Sequence, residues 1–395
     1  MIKSSLRIAA IGFGTAAPAF ALFAAKMGHQ VDIYEKFPEA RPIGSGILLQ
    51  PTGMKVLDSL GLLDTALYYG QKIDRLYGYT DRSLLMPWKF TNDQFQHKVL
   101  DLQYKHLGEH FFGLGIHRGT LFQILHHAVS KQTPQISLKC GFNISRVEER
   151  EVFDSNGRKR GVKSRLFFHT NNDNNNGNSK NKGPMNQGSE HKEEQEIDTE
   201  YDLVVIASGT HSRLGNFEKR KAKLYEFGKY RNAKYMSGIL PIGKLLNHSQ
   251  HLNPAAPLCN DLNPSSNTCN NSIGMDHHPH AHGDSLVRQG AGLALIDAYI
   301  LNECIQAYHM EHKFQSLQEA LHAYTQQRAS HVIGYRLASR ILTPFFQSNF
   351  HTVSYLRDLV MGPMCSIPPA RWFMLRTLAG IQSGWFDTFD TSPTF

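Results

Sequence analysis

Residues 6–11, Leu6-Arg7-Ile8-Ala9-Ala10-Ile11, run into Gly12-Phe13-Gly14-Thr15-Ala16-Ala17 and then an Ala/Phe/Leu-rich stretch that reaches Met27. Gly28 follows, and Gln30-Val31-Asp32-Ile33-Tyr34 closes on Glu35. The apolar run predicts a strand, the glycines a tight turn, the Ala-rich stretch a helix, and residues 30–35 a second strand ending in an acid. Each part suits one task. Gly12 allows the sharp turn, Gly14 lets the backbone approach a pyrophosphate, and small Ala17 lets helix and strand pack closely. The helix N-terminus then faces the phosphates, and Glu35 stands where a ribose hydroxyl would be recognised. Ala17 replaces the last glycine of the fingerprint, which the motif permits. An ordinary glycine turn in a parallel sheet is the plain alternative.

The rest of the chain sets the bounds. With 395 residues, two or three domains are expected, and 41% hydrophobic against 19% charged residues places the chain among folded globular proteins. Lys plus Arg exceed Asp plus Glu by 42 − 34 = 8, but the excess is spread along the chain. It suits anionic ligands and does not argue for nucleic acid. Five scattered cysteines without a CxxC pair argue against a disulfide framework or a cysteine zinc site, and for a reducing compartment. Residues 8–25 are uncharged, yet Gly12, Gly14 and Pro18 inside them speak against a signal peptide or membrane span. A cytoplasmic location is expected. There is no GxSxG elbow, no Walker GxxxxGK[ST], and no solenoid repeat.

Four further segments carry a resemblance. Residues 41–53, Arg41-Pro42-Ile43-Gly44-Ser45-Gly46-Ile47-Leu48-Leu49-Gln50-Pro51-Thr52-Gly53, are followed by Val56-Leu57 and Leu60-Gly61-Leu62. Residues 116–121 read Ile-His-Arg-Gly-Thr-Leu, around Arg118. Residues 201–213, from Tyr201 and Asp202 through Gly209 to Arg213, read as a buried strand and loop similar to DLVVGADGxxSxxR. Residues 289–298, Gln289-Gly290-Ala291-Gly292-Leu293-Ala294-Leu295-Ile296-Asp297-Ala298, resemble GQGANLALxDA. In this order they resemble the FAD-dependent aromatic-ring monooxygenases, of the para-hydroxybenzoate hydroxylase and ubiquinone-pathway hydroxylase kind.

The resemblance implies an α/β fold: a doubly wound, Rossmann-like FAD-binding domain of the glutathione-reductase type, discontinuous over 1–75, 100–215 and 270–340. A reduced, interleaved α+β substrate domain would occupy 76–99 and 216–269, and C-terminal helices 341–395. It implies FAD as cofactor, NADPH or NADH as reductant, and O₂ with a small aromatic or quinone-precursor substrate. Gly12, Gly14, Thr15 and Ala16, with Glu35 and Lys36, would hold the ADP half. Arg41, Gly46 and Arg118 would lie near the pyrophosphate and ribityl chain. Asp284, or alternatively Asp276, with Gly290, Ala291 and Gly292, would face the ribityl chain and ring. No residue is singled out as catalytic acid or base.

The chain departs from the pattern in two places. Residues 170–196 are rich in Asn, Gly, Ser, Lys and Glu and are expected to be a disordered insert lengthening a hairpin whose strands run over 145–152 and 162–168. The stretch between Gly209 and Gly290 is shorter than the family's, with one strand expected at 236–243 and linker beyond. There Arg288 replaces a glycine and an expected proline is missing. A FAD-binding protein or NAD(P)H oxidase without hydroxylation is therefore the alternative function, with a nicotinamide dehydrogenase as the other rival. The His-rich residues 276–284 are read as a solvated polar loop and not as a metal site, since no helical ligand spacing occurs. Helical spacing is evident over 315–338, and Ile341, Leu342, Phe345 and Phe346 continue a core or, on the second reading, touch a membrane surface, at its inner face.

Overall fold

The sequence pattern is realised as a mixed α/β architecture around a parallel sheet. The computed structural model describes residues 4–41, 46–80, 97–153, 155, 159–169, 194–209, 214, 290–347, 351–383 and 387–388. Asp276 and Asp284, the strand expected at 236–243, the segment 216–269 and the His-rich stretch lie outside the described residues.

Strand β1 (Arg7–Ile11) is flanked in parallel by β2 (Gln30–Glu35) and by β12 (Leu203–Ile206), and β8 (Ile136–Cys140) pairs with the far side of β2. The order is β12-β1-β2-β8, with Ile8 opposite both Leu203 and Val31. Helix α1 (Ala16–Lys26) crosses between β1 and β2 and buries every residue from Ala17 to Ala25. A helix apolar on all sides must be covered on all sides. α1 packs on the sheet, on α4 (Arg118–Ser130) and on α5 (Gly290–His309), and its alanines permit that close approach. Ile8, Ile33 and Phe20 are fully or almost fully buried, each contributing about 1.5–3 kcal/mol relative to an exposed side chain.

The opposite face of the sheet is covered by an antiparallel set, β9 (Asn143–Phe153), β10 (Lys159–His169) and β11 (Glu194–Glu196). Here the structure differs from the expected insert, because Glu194–Glu196 pairs with residues 167–169 of β10. Arg146 and Arg165 reach across to Glu194, Glu196 and Glu200, which fixes that register despite the segment's polarity.

A second core lies beside the first. Strands β3 (Gly46–Leu49), β4 (Gln71–Ile73) and β7 (Gly113–His117) form one sheet, and β5 (Arg75–Thr80) with β6 (His97–Gln103) form a hairpin-like pair. Helices α2 (Pro51–Leu60) and α3 (Leu63–Tyr69) follow β3. Leu48, Leu76, Leu102 and Tyr104 pack against Cys365, Leu375 and Leu378 of the C-terminal helices. Those helices are α7 (His351–Ser366) and α8 (Pro368–Ala379), preceded by the long α6 (Leu317–Gln347). Two short strands, β13 (Gln382–Ser383) and β14 (Asp387–Thr388), complete the described chain. Among the described residues no helix is long and apolar enough to cross a membrane.

Candidate functional site

The turn after β1 is built by Gly12. Its φ is +96°, and a Cβ placed there would stand 2.7 Å from Ser208 Cα and 3.0 Å from the Ala207 carbonyl oxygen. Only glycine fits, because the turn is pressed against the exit of β12. The Gly12 N–H donates to the Tyr34 carbonyl at 2.7 Å, which ties the turn to the end of β2. A Cβ on Gly14 would meet only the Ala207 oxygen, at 3.9 Å, so this position is open on its other side. Thr15 occupies the N-cap of α1 without a side-chain cap bond, and the first turn, beginning at Ala16, holds no acid. The helix therefore presents uncapped amides and the positive end of its dipole, the arrangement that suits phosphate oxygens.

Glu35 closes β2 beside this turn. It is 9% exposed, and its Oε2 accepts from the Phe13 N–H at 2.7 Å while Oε1 accepts from the Phe37 N–H at 3.1 Å. One lone pair on each oxygen remains for a further donor. The acid thus braces the glycine turn from the end of β2. Lys36 is exposed, its Nζ 4.7 Å from the Phe37 ring, and exposed Arg41 pairs with Glu39 at 2.8 Å. A pair this exposed is worth little.

The β3–β7 ladder joins two more of the expected residues. Gly46 is opposite His117, the N-cap of α4, and Arg118 is the first residue of that helix. The His117 Nδ1 accepts from the Gly119 N–H at 3.1 Å, which sets where α4 begins. Phe13 touches Phe122 and His126 of the same helix, so α4 packs beside the glycine turn. Burial and neighbouring His127 hold the His126 imidazole below its ordinary pKa.

Gly290, Ala291 and Gly292 form the first turn of α5, which also lacks an acid. Next to it, Leu48, Gln50, Thr52, Gly292, Leu293, Ile296 and Gly380 line a small open cleft that encloses about 10 Å³. A Cβ on Gly53 would stand 2.5 Å from Leu49 Cδ1, and 3.5 Å, an ordinary contact, from Gly292 Cα, so α2 and α5 lie close here. The Thr52 hydroxyl donates to the Ala379 carbonyl at 3.2 Å. Behind the cleft, Asp297 receives Arg328 Nε at 2.6 Å, Arg328 contacts His331 Nδ1, and His331 Nε2 donates to the Gly380 carbonyl at 3.0 Å. Gln50 and Tyr104, joined by a 2.7 Å hydrogen bond, carry no role in the sequence reading. Their only signal was a polar residue set among Leu48, Leu49 and Pro51.

No family model matches the chain. Over 103 residues it is 32% identical to kynurenine 3-monooxygenase of Salinispora tropica, covering 24% of this chain and 23% of that protein. Over 65 residues it is 35% identical to 3-amino-4-hydroxybenzoate 2-monooxygenase of Streptomyces cremeus, covering 16% of each. The chain spans less than a quarter of the length of the curated relatives it matches. Among solved structures, p-nitrophenol 4-monooxygenase PnpA of Pseudomonas putida DLL-E4 aligns over 97% of this chain and all of its own, with a TM-score of 0.56 and 10% identity. PqsL of Pseudomonas aeruginosa, described as a probable FAD-dependent monooxygenase, aligns over 91% of this chain and 99% of its own, with a TM-score of 0.52 and 14% identity. The chain thus resembles aromatic monooxygenases in sequence over part of its length, and shares the fold of PnpA and PqsL over nearly all of it.

Proposed function

We propose that this chain binds FAD and, with NADPH or NADH as reductant and O₂ as co-substrate, hydroxylates a small aromatic or quinone-precursor molecule. The observation that carries the reading is the glycine turn braced by Glu35, at 2.7 Å from the Phe13 N–H, beside an uncapped α1 N-terminus. It stands in a chain that shares the fold of PqsL and PnpA.

The residues present fit the cofactor. Gly12, Gly14, Thr15 and Ala16 would take the pyrophosphate, with Glu35 and Lys36 on the adenosine side. Arg41, Gly46 and Arg118 would lie toward the pyrophosphate and ribityl chain, and Asp284, or alternatively Asp276, with Gly290, Ala291 and Gly292 toward the ribityl chain and ring. Bound FAD supplies hydride acceptance and oxygen activation, chemistry no amino-acid side chain offers. The chain's own part is to bind, orient and exclude water. The α5 N-terminus would favour negative charge placed against it. In domain terms, the parallel sheet with its helices belongs to a doubly wound FAD-binding domain of residues 1–75, 100–215 and 270–340. The segments 76–99 and 216–269 would make up a reduced substrate domain, and residues 341–395 the C-terminal helical region.

The test is the visible spectrum of the purified chain before and after NAD(P)H under air. Kynurenine, 3-amino-4-hydroxybenzoate and p-nitrophenol serve as trial substrates, and products are read by mass. A flavin spectrum that bleaches and recovers, with one oxygen gained by a substrate, is expected. No flavin uptake at all overturns the reading. Flavin turnover that yields peroxide with every aromatic moves it to the oxidase alternative.

A further inference from the structure

Three oxygens around the cleft at the start of α5 each already accept one hydrogen bond. The Ala379 carbonyl takes the Thr52 hydroxyl, the Gly380 carbonyl takes His331 Nε2, and Gln50 Oε1 takes the Tyr104 hydroxyl at 2.7 Å. Gln50 is 3% exposed, and its Nε2 has no hydrogen-bond partner. A buried amide left in that state loses the hydration of an N–H₂ group for nothing. Its position explains the arrangement. Gln50 is the N-cap of α2, yet its side chain does not cap the helix and turns instead to Tyr104. Tyr104 is fully buried, burial pushes its hydroxyl pKa up, and so it stays a neutral O–H donor. With Oε1 held by Tyr104, the donating end of Gln50, a residue of the cleft wall, is left unpaired at the start of α2, whose N-cap side chain makes no cap bond.

We infer that Gln50 Nε2 donates a hydrogen bond to an acceptor atom on the FAD ring system, and that Tyr104 is the positioning residue that sets the direction of that amide. The inference rests on the FAD reading above and extends it to two residues outside the fingerprint. What Gln50 Nε2 lacks is an acceptor, and the FAD ring carries both oxygen and nitrogen acceptors.

Titration of the purified chain with FAD, followed by flavin fluorescence quenching, tests it with no turnover involved. Gln50→Leu is expected to raise the FAD dissociation constant about 3- to 10-fold, the value of one net hydrogen bond. Gln50→Glu keeps an acceptor for Tyr104 and loses the donor. It should bind weakly at about pH 9 and regain affinity towards about pH 5, where a protonated carboxyl donates again, while the wild type changes little over the same range. Tyr104→Phe should give a smaller loss, and none on top of Gln50→Leu. A role confined to holding Tyr104 would leave Gln50→Glu like the wild type at every pH, and that result overturns the inference, as does FAD affinity unaltered in Gln50→Leu. Should Gln50→Leu fail to fold, the near-isosteric Gln50→Glu decides alone. A wild type that takes up no FAD sinks the proposed function and this inference together. Wild-type binding with unaltered variants sinks this inference only.

Discussion

Gly380 is stacked against Thr52, more than three hundred residues away in sequence, so closely that a Cβ on Gly380 would overlap the Thr52 side chain. Gly380 also has a φ of +86°, as the left-handed cap ending α8. The contact clamps the last described helix onto the N-terminus of α2, at one wall of the cleft. Gly380→Ala should therefore combine left-handed strain with overpacking and destabilise the chain by about 2–4 kcal/mol. Chemical denaturation of the variant measures it, and an unchanged midpoint would contradict the clamp.

Glu35 does two jobs at once. Glu35→Ala removes the acceptor for the buried Phe13 N–H, so it should cost about 1–3 kcal/mol of stability in addition to weakening FAD binding. Glu35→Gln keeps one acceptor oxygen and should lose less stability than affinity. Parallel thermal melts and FAD titrations separate the two effects. Equal FAD retention in wild type and Glu35→Ala would remove Glu35 from the adenosine side.

On the opposite face of the sheet, the Tyr201 hydroxyl donates to Asp32 Oδ2 at 2.7 Å and lies 2.6 Å from the Tyr34 hydroxyl. Lys139 Nζ reaches Asp32 at 3.1 Å and Tyr34 at 3.3 Å. Burial, and then the bonds to Tyr34 and Asp32, push the Tyr201 pKa up. Tyr201→Phe should cost about 1–2 kcal/mol, less than a lone buried carboxylate would, because Lys139 still pairs with Asp32. In an ultraviolet titration, Tyr201 should be absent from the phenols that ionise near pH 10. A full tyrosine count at that pH would refute the buried network.

The first βαβ unit was legible because its signals are local: the alternation of apolar runs, the glycines, and an acid closing β2. The pairing of β9 with β10 was legible for the same reason, two polar-apolar strands separated by a turn. The place of β12 beside β1 was not, since Leu203 meets Ile8 through a contact that no local pattern encodes. The second core escaped for a related reason. Leu76, Tyr104 and Leu375 come from distant segments, and nothing in any one of them names its partners. Glu194–Glu196 was misread because composition speaks for disorder, while its strand rests on salt bridges to Arg146 and Arg165. Among the expected site residues, Gly12 and Glu35 meet in one turn and Gly46 and Arg118 at one ladder end, but Arg41 is turned onto Glu39. Gln50 was passed over because its meaning lies in a hydroxyl from the other core.

Two buried imidazoles set the acid limit of the fold. His29 is fully buried, packed edge-on against His309 at 4.6 Å, and its Nδ1 accepts from the Leu6 N–H at 3.3 Å. Burial first, and then the proximity of His309, lower its pKa to about 4. His331 is lowered to about 4 as well, mainly by burial, against the opposing pull of the Gly380 carbonyl. Both groups therefore bind protons more readily in the unfolded chain, where the pKa is about 6.5. Stability is fully present above pH 6.5, falls as the pH drops from there towards 4, and changes no further through these groups below that. Each contributes up to about 3 kcal/mol to the loss. Denaturation midpoints measured from pH 7 to pH 4 should slope downward, and His29→Gln should flatten part of that slope at the cost of some stability at pH 7. A wild-type midpoint that is flat over this range would show that neither imidazole is held neutral.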